Sequence, residues 1–450
     1  MNTVFLLIVL VAFVTAAWHQ VTREPGDPDD PEATTPMAEL SEAVVESAGG
    51  AVELAIGLIG VMTLFLGLMK VAEAGGMLTV LARLIRPLMT RLFPDVPPDH
   101  PAMGAMILNM SANALGLGNA ATPFGIRAMQ ELDKLNPHKG TATNSMALFL
   151  AINTSSITLL PTGVIALRAA SGSVEPAAIL PSTLFATACA TVAAVIAAKT
   201  YQRLSAVPKP DPVPTGRLGS EEGTPDSAAH DLQQEQEAEP AMTEAAEASQ
   251  TGYPVWVSYL FLAGLLSLIP LSIVYGRVIA PWIIPGLIVF FLLYGVIRGV
   301  RIYEVFVEGA KEGFQVAVRI IPYLVAILVA VGMLRASGAM EAMVRWVGGF
   351  TEQLGLPAEA LPMALLRPLS GSGAYGVMAS IINDPAVGPD SYTGMLVTTL
   401  QGSTETTFYV IAVYFGAVQI RRIRHTLAAA LTADVVAVIA AVAVCLWLFA

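Results

Sequence analysis

The sequence predicts an all-α polytopic membrane protein of about nine transmembrane helices plus two re-entrant or broken hairpin segments, arranged as two halves in inverted repeat. Three observations carry this. Of 450 residues, 55% are hydrophobic and 13% charged, against roughly 25% charged in a soluble domain. Apolar runs near the ~20 residues that cross a bilayer recur along the chain. The second half also repeats the order of features found in the first.

The runs lie at residues 2 to 18, 49 to 69, 143 to 167, 177 to 198, 255 to 275, 277 to 298, 314 to 334, 391 to 417 and 427 to 449. The first, MNTVFLLIVLVAFVTAA, ends in small residues but lacks the basic start of a signal peptide, so it reads as a retained span. Residues 76 to 93 and 339 to 350 set Leu, Met and Trp beside Arg at helical spacing and read as interfacial amphipathic helices. Between the halves, residues 203 to 252 are rich in Pro, Gly, Gln, Glu and Ala, a composition that cannot bury enough surface to offset chain entropy. This gives a membrane half at 1 to 202, a flexible acidic linker at 203 to 252 and a second half at 253 to 450.

The net charge of −11 belongs mostly to tethers. Residues 19 to 46 and 203 to 250 each carry −7, which leaves +3 for the rest, and nothing in this pattern points to nucleic acid. Cys189 and Cys445 fall inside apolar runs as small buried hydrophobes. The five histidines are scattered without metal-ligand spacing, no cofactor motif occurs, and no acid–base constellation suggests an enzyme.

The repeat is visible within the chain. VVESAGGAVELAIGLIG matches VFVEGAKEGFQVAVRIIP, with Glu46 opposite Glu308; MKVAEAGGM matches MLRASGAM, with Gly75 opposite Gly338 and Met77 opposite Met340. Then come two Gly- and Pro-broken apolar segments, NMSANALGLGNAATPFG (109 to 125) and RPLSGSGAYGVMAS (367 to 380). Gly116, Gly118 and Pro123 interrupt the first; Pro368, Gly371, Gly373 and Gly376 interrupt the second. Two polar-centred spans follow, AINTSSITLLPTG and LQGSTETTFYVIAV.

Basic residues set the orientation. Lys70, Arg83, Arg86 and Arg91, the loop of Arg127, Lys134 and Lys139, the linker start, Arg298 with Arg301, and Arg421 with Arg422 and Arg424 place those loops in the cytoplasm. The N-terminus and linker are then inside, residues 19 to 46 and the C-terminus outside, and the two broken segments enter from opposite faces. Arg335, Arg345 and Arg367 on the outer side count against this threading.

Irregular backbone persists at membrane depth only where protein buries it or a wet cavity solvates it. Paired interrupted segments in corresponding places are the sequence pointer to a transporter site near the midplane. Asn109, Ser111, Asn113, Asn119 and Thr122, with Ser370 and Ser372, are therefore candidate contacts for a small polar solute. Asn153, Ser155 and Ser156, with Gln401, Ser403, Thr404 and Glu405, extend the set. The competing reading is helix packing, in which such groups make interhelical hydrogen bonds worth roughly 0.6 to 2 kcal/mol. Glu405 would carry a proton or bind a coupling cation; Asp434 and Arg319 are further intramembrane charges, with an internal ion pair as the alternative role.

NMSANALGLGNAATPFGIRAMQELDKLNP and FPDVPPDHPAMGAM closely resemble spore maturation protein A, and RPLSGSGAYGVMASII, GPDSYTGML and LQGSTETTFYVIAVYFGAVQIRRIRHTLAAALTAD closely resemble spore maturation protein B. The resemblance covers about residues 1 to 200 and 253 to 450, as a fusion of the two. It implies the nucleoside-recognition Gate-domain group, whose relatives include part of concentrative nucleoside transporters and of the ferrous-iron transport protein B. It also implies a multi-pass bacterial inner-membrane protein linked to maturation of the spore and its cortex. The leading expectation is a permease for a small polar solute. The alternatives are a non-transporting scaffold or regulator that positions a cell-envelope enzyme, or a mover of a lipid-linked envelope precursor, which needs a groove open sideways to lipid. Large Gly/Ala-rich faces would suit a homodimer.

Overall fold

The computed structural model describes residues 2–22, 35–116, 118–155, 158–205, 252–340, 342 and 351–449, a few side chains inside helices excepted. Most of the linker, residues 23 to 34 of the acidic tether, and most of the second amphipathic segment lie outside these. The first half runs α1 (Asn2–Thr22), α2 (Pro36–Ala74), α3 (Met77–Leu92), α4 (Pro101–Leu115), α5 (Gly118–Lys134), α6 (Asn144–Ser155), α7 (Thr162–Ala170) and α8 (Leu180–Leu204). The second runs α9 (Val255–Ile297), α10 (Ile302–Ala336), α11 (Leu361–Leu366), α12 (Gly371–Ile382), α13 (Tyr392–Ser403), α14 (Thr407–Ala417) and α15 (Thr426–Phe449). Helices are the only regular elements among the described residues, and the chain is an all-α polytopic membrane protein.

Thr35 caps α2, accepting from the Ala38 amide at 3.3 Å, with Pro36 in the first turn where its missing N–H costs nothing. The helix stops at a two-residue turn in which Gly76 takes φ +78°, and α10 stops the same way at Gly338, φ +76°. The equivalence is therefore Gly76 with Gly338, one residue from the sequence pairing of Gly75 with Gly338, and Met77 moves with it. Left-handed backbone selects the glycine, which a match of letters cannot see.

α2 and α10 pack closely along their length. Gly309 approaches Leu66 and Lys70, Gly313 approaches Met62 and Thr63, and Gly332 approaches Ser47. Numbers rise on one helix as they fall on the other, so the pair is antiparallel. The same holds for α8 and α15: Tyr201 bonds Thr432 at 3.1 Å, while Ser182 and Cys445 meet at Thr399. Equivalent helices running antiparallel make the repeat an inverted one. A Cβ at Gly313 would lie 2.7 Å from the Thr63 Cα and 2.8 Å from the Met62 carbonyl oxygen. Gly313→Leu should therefore cost about 1–3 kcal/mol, read as a lower melting temperature in detergent, with Gly299→Leu, a change at an open turn, testing backbone strain alone.

The two predicted spans 255 to 275 and 277 to 298 form one helical run. Its 43 residues would stretch about 64 Å if straight. Yet the Tyr253 amide bonds the Arg83 carbonyl at 3.2 Å, and Arg298 Nε bonds the Gly75 carbonyl at 2.6 Å. Both ends thus sit beside α3, and the run turns back on itself. The spans 143 to 167 and 391 to 417 are interrupted, the first between α6 and α7 with residues 158 to 161 non-helical, the second at residues 404 to 406.

The halves exchange core elements. Val410, Tyr414 and Phe415 of α14 pack among Phe124, Met129 and Phe149 of the first half, while Val164, Ile165 and Leu167 of α7 pack among Val377, Met378 and Leu396 of the second. At one end of the bundle the loop before α15 pairs with the loop before α6: Arg421 N–H donates to the Gly140 carbonyl at 2.9 Å, and Arg424 to Asn144 and Ser205 at 3.0 Å each. Beside Arg424, His425 is buried, and burial followed by the neighbouring guanidinium pushes its pKa down to about 4. Since the unfolded imidazole titrates near 6.5, acid favours the unfolded chain. Stability should be full above pH ~6.5 and fall as pH drops toward 4, and melting temperatures at pH 7 and 5 should converge in His425→Asn.

Candidate functional site

α4 opens on His100, whose ring accepts from the Ala102 amide at 3.2 Å, with Pro101 in the first turn. It closes at Gly116, φ +76°, and α5 returns alongside it as a hairpin. A Cβ on Gly116 would lie 2.8 Å from the Leu160 carbonyl oxygen, so glycine is required here both by backbone and by space. Leu160 belongs to the interruption between α6 and α7, and the Leu159 amide donates to the Ala114 carbonyl at 2.9 Å. One hairpin tip therefore seals one helix break.

The second half repeats the device. Ser370 caps α12, accepting from the Gly373 amide at 3.0 Å. Before it, Arg367 donates to the Thr404 carbonyl and to Thr406 Oγ1, the latter at 3.1 Å, and the Phe408 amide donates to the Pro368 carbonyl at 3.1 Å. The two breaks also meet directly, because the Glu405 amide donates to the Thr154 carbonyl at 2.8 Å. Each freed backbone group cited here is satisfied by the opposite segment, as membrane depth requires.

Between these four pieces lies a polar pocket of about 260 Å³. Asn113 and Gly116 come from the first hairpin, Thr158, Leu160 and Pro161 from the first break, Thr162, Gly163 and Val164 from the start of α7, Arg367, Gly371 and Tyr375 from the second hairpin, and Gln401, Gly402, Thr404 and Glu405 from the second break. The starts of α7 and α12 border it through Thr162, Gly163 and Gly371. Arg367 is 7% exposed and stands 3.9 Å from the Glu405 carboxylate, whose side chain is 49% exposed. Deeper in, Asp434 accepts from Thr407 Oγ1 at 2.7 Å. Arg367 Nε, Gln401 Oε1 and Asp434 Oδ1 are buried without a hydrogen-bond partner in the protein. Such groups are costly unless something else satisfies them. The site thus offers a donor, acceptors and one half-exposed carboxylate.

Of the sequence candidates, Asn113, Gln401, Thr404 and Glu405 line this pocket. Asn153 stands behind, accepting from Asn113 at 2.9 Å. Asn109 is elsewhere: its amide staples the hairpin arms through the Ala121 carbonyl at 2.7 Å and reaches the Tyr414 hydroxyl at 3.1 Å. Ser111, Ser155 and Ser403 bond back to carbonyls of their own helices, the short-range choice of a buried hydroxyl. Ser370 is spent on its cap; Ser372 is exposed and Thr122 half-buried, neither on the pocket wall. Gly118, Pro123, Gly371, Gly373 and Gly376 are helical rather than interrupting. Ser156 and the side chains of Asn119 and Arg319 lie outside the described residues.

Arg367 and Tyr375 are among the pocket residues that sequence reasoning missed, with Thr162. Arg367 is not an outer-loop charge but the pocket's buried cation, and Arg335 is paired with Asp384 at 2.9 Å. Arg345 is outside the described residues. An arginine abutting a Pro/Gly-broken apolar stretch is itself an intramembrane signal.

Inverted halves, hairpins whose tips seal helix breaks, and a polar pocket between them define a two-fold, broken-helix membrane protein. A family model described as Gate, nucleoside recognition, matches residues 55–171 and 317–421. Spore maturation protein A of Bacillus subtilis (strain 168) is 48% identical over 160 residues, 36% of this chain and 82% of that protein. Spore maturation protein B of the same strain is 45% identical over 166 residues, 37% of this chain and 92% of that protein. The chain belongs to the Gate-domain family of spore maturation proteins A and B. Inner membrane protein YjiG of Escherichia coli (strain K12) is 33% identical over 86 residues, 18% of this chain and 54% of that protein. No solved structure matches.

Proposed function

We propose that this chain is a non-enzymatic permease of the bacterial inner membrane that carries a small polar solute through the pocket between its inverted halves. The observation that carries the reading is the convergence of both hairpin tips and both helix breaks on one polar cavity at the centre of the repeat. Glu405, half-exposed beside the buried Arg367, is the group that exchanges a proton or a cation as the solute comes and goes. The loops and helix ends that carry Arg83, Arg298, Arg421 and Arg424 are assigned to the cytoplasm by their positive charge, with the N-terminus and linker inside and the C-terminus outside. The name of the YjiG relative agrees with the inner membrane, and the family description names nucleosides as the first solutes to try.

The test is uptake by the purified full chain in liposomes, with radiolabelled uridine and adenosine under an imposed pH gradient. Uptake that follows the gradient in the wild type and loses that dependence in Glu405→Gln is expected. Flux unchanged by Glu405→Gln would remove the coupling role, and no flux or ligand-induced thermal shift with any of a wide panel of polar solutes would favour a scaffold.

A further inference from the structure

On the far side of the first helix break lies a second cavity of opposite character. It holds about 150 Å³ between α3, α4 and the start of α9, walled by Leu81, Leu84, Leu88, Met110, Ile152 and Phe261. Its inner wall is Asn113 and Leu159. Asn113 also borders the polar pocket, whose wall continues at Thr158 and Leu160, so a single thickness of chain divides the two. Its outer rim is open: Leu88 and Tyr259 are exposed large side chains.

Apolar cavities of this size stay dry and take up hydrocarbon. Around a membrane protein, the hydrocarbon at hand is the acyl chain. The rim adds a headgroup contact. Arg91 bonds the Tyr259 hydroxyl, with its guanidinium 5.6 Å from that ring's centre, and Lys199 anchors the same corner through the Leu92 carbonyl at 3.1 Å. Ser258 Oγ, on the cavity wall, is buried without a partner and is suited to an ester carbonyl. We propose that this cleft holds one acyl chain of an anionic phospholipid, with its phosphate at Arg91. The lipid then buttresses the wall of the polar pocket from behind. This assignment does not depend on transport. The acidic linker, at −7 and with few large apolar groups, is a poor match for such a cleft.

Native mass spectrometry of the purified full chain, titrated with dioleoyl phosphatidylglycerol or dioleoyl phosphatidylcholine, reads the site directly. One phosphatidylglycerol should be retained in preference to phosphatidylcholine. Arg91→Gln should weaken that retention by about fivefold, the effect of one basic residue at the membrane surface. Leu84→Trp, which fills the cleft from its lipid side, should abolish it, whereas Leu293→Trp on another exposed face should not. Equal retention of the two lipids, or full retention in Leu84→Trp, would overturn the assignment. The wild type in nanodiscs of brominated phosphatidylglycerol gives a readout that needs no variant: bromine density in the cleft is expected, and an empty cleft or one filled by a second copy of the chain would refute it.

Discussion

Asp390→Ala should lower the stability of the chain by about 3–5 kcal/mol, the cost of leaving a buried charge without its partner. Arg168 is 0% exposed and donates to Asp390 Oδ1 at 2.8 Å. The same carboxylate accepts from Ser173 at 2.5 Å and from the Val174 amide at 2.8 Å, joining the loop before α8 to the loop before α13. Alanine strands the guanidinium with only neutral partners, among them the Pro176 carbonyl at 3.1 Å and Thr398 at 3.3 Å. Asp390→Asn keeps an acceptor for Val174 and should recover part of the loss. Thermal unfolding in detergent separates the three proteins, and a shift in Asp390→Ala no larger than that of an exposed control such as Asp99→Ala would show that the cluster is structurally dispensable.

Arg367→Met should abolish solute flux and also destabilise the fold. The side chain ties the second hairpin to the second break through Thr404 and Thr406, and its charge faces both Glu405 and Asp434. Its loss leaves Asp434, 7% exposed, without a compensating cation. Asp434→Asn in the same background should return about 1 kcal/mol or more, since contacting charges couple by roughly 0.5–3 kcal/mol. Strict additivity of the two changes would mean that the carboxylate is balanced by another group. Flux that survives Arg367→Met would move the solute site elsewhere in the bundle.

These expectations differ in how far the sequence foretold them. The repeat was legible because each half carries the same succession of apolar runs, glycines and hydroxyl-rich spans. The hairpin at Gly116 was legible for the same reason: glycine beside apolar helix marks a turn that only that residue adopts cheaply. The breaks inside the two polar-centred spans were not foreseen, since 143 to 167 and 391 to 417 each read as one span; only Pro161, which precedes α7, offered a local signal for the first. Nothing in STETT forbids a helix; the chain leaves it where Arg367, 37 residues earlier, takes the Thr404 carbonyl. Local propensity is a weak prior that such a contact overrides. The GxxxG of Gly309 and Gly313 was there to be read as the close crossing with α2.

By itself, then, the sequence determined the medium, the helical class, the doubling and the residues rich in hydrogen-bonding groups, because periodicity and composition are properties of short stretches. Which of those groups face a cavity was decided only by the tertiary structure. Asn109 and Asn113 lie one helical turn apart with the same chemistry, yet one staples a hairpin and the other lines the pocket. The difference comes from what stands opposite each of them: the Ala121 carbonyl and Tyr414 hydroxyl in one case, and the open space left between two broken helices in the other.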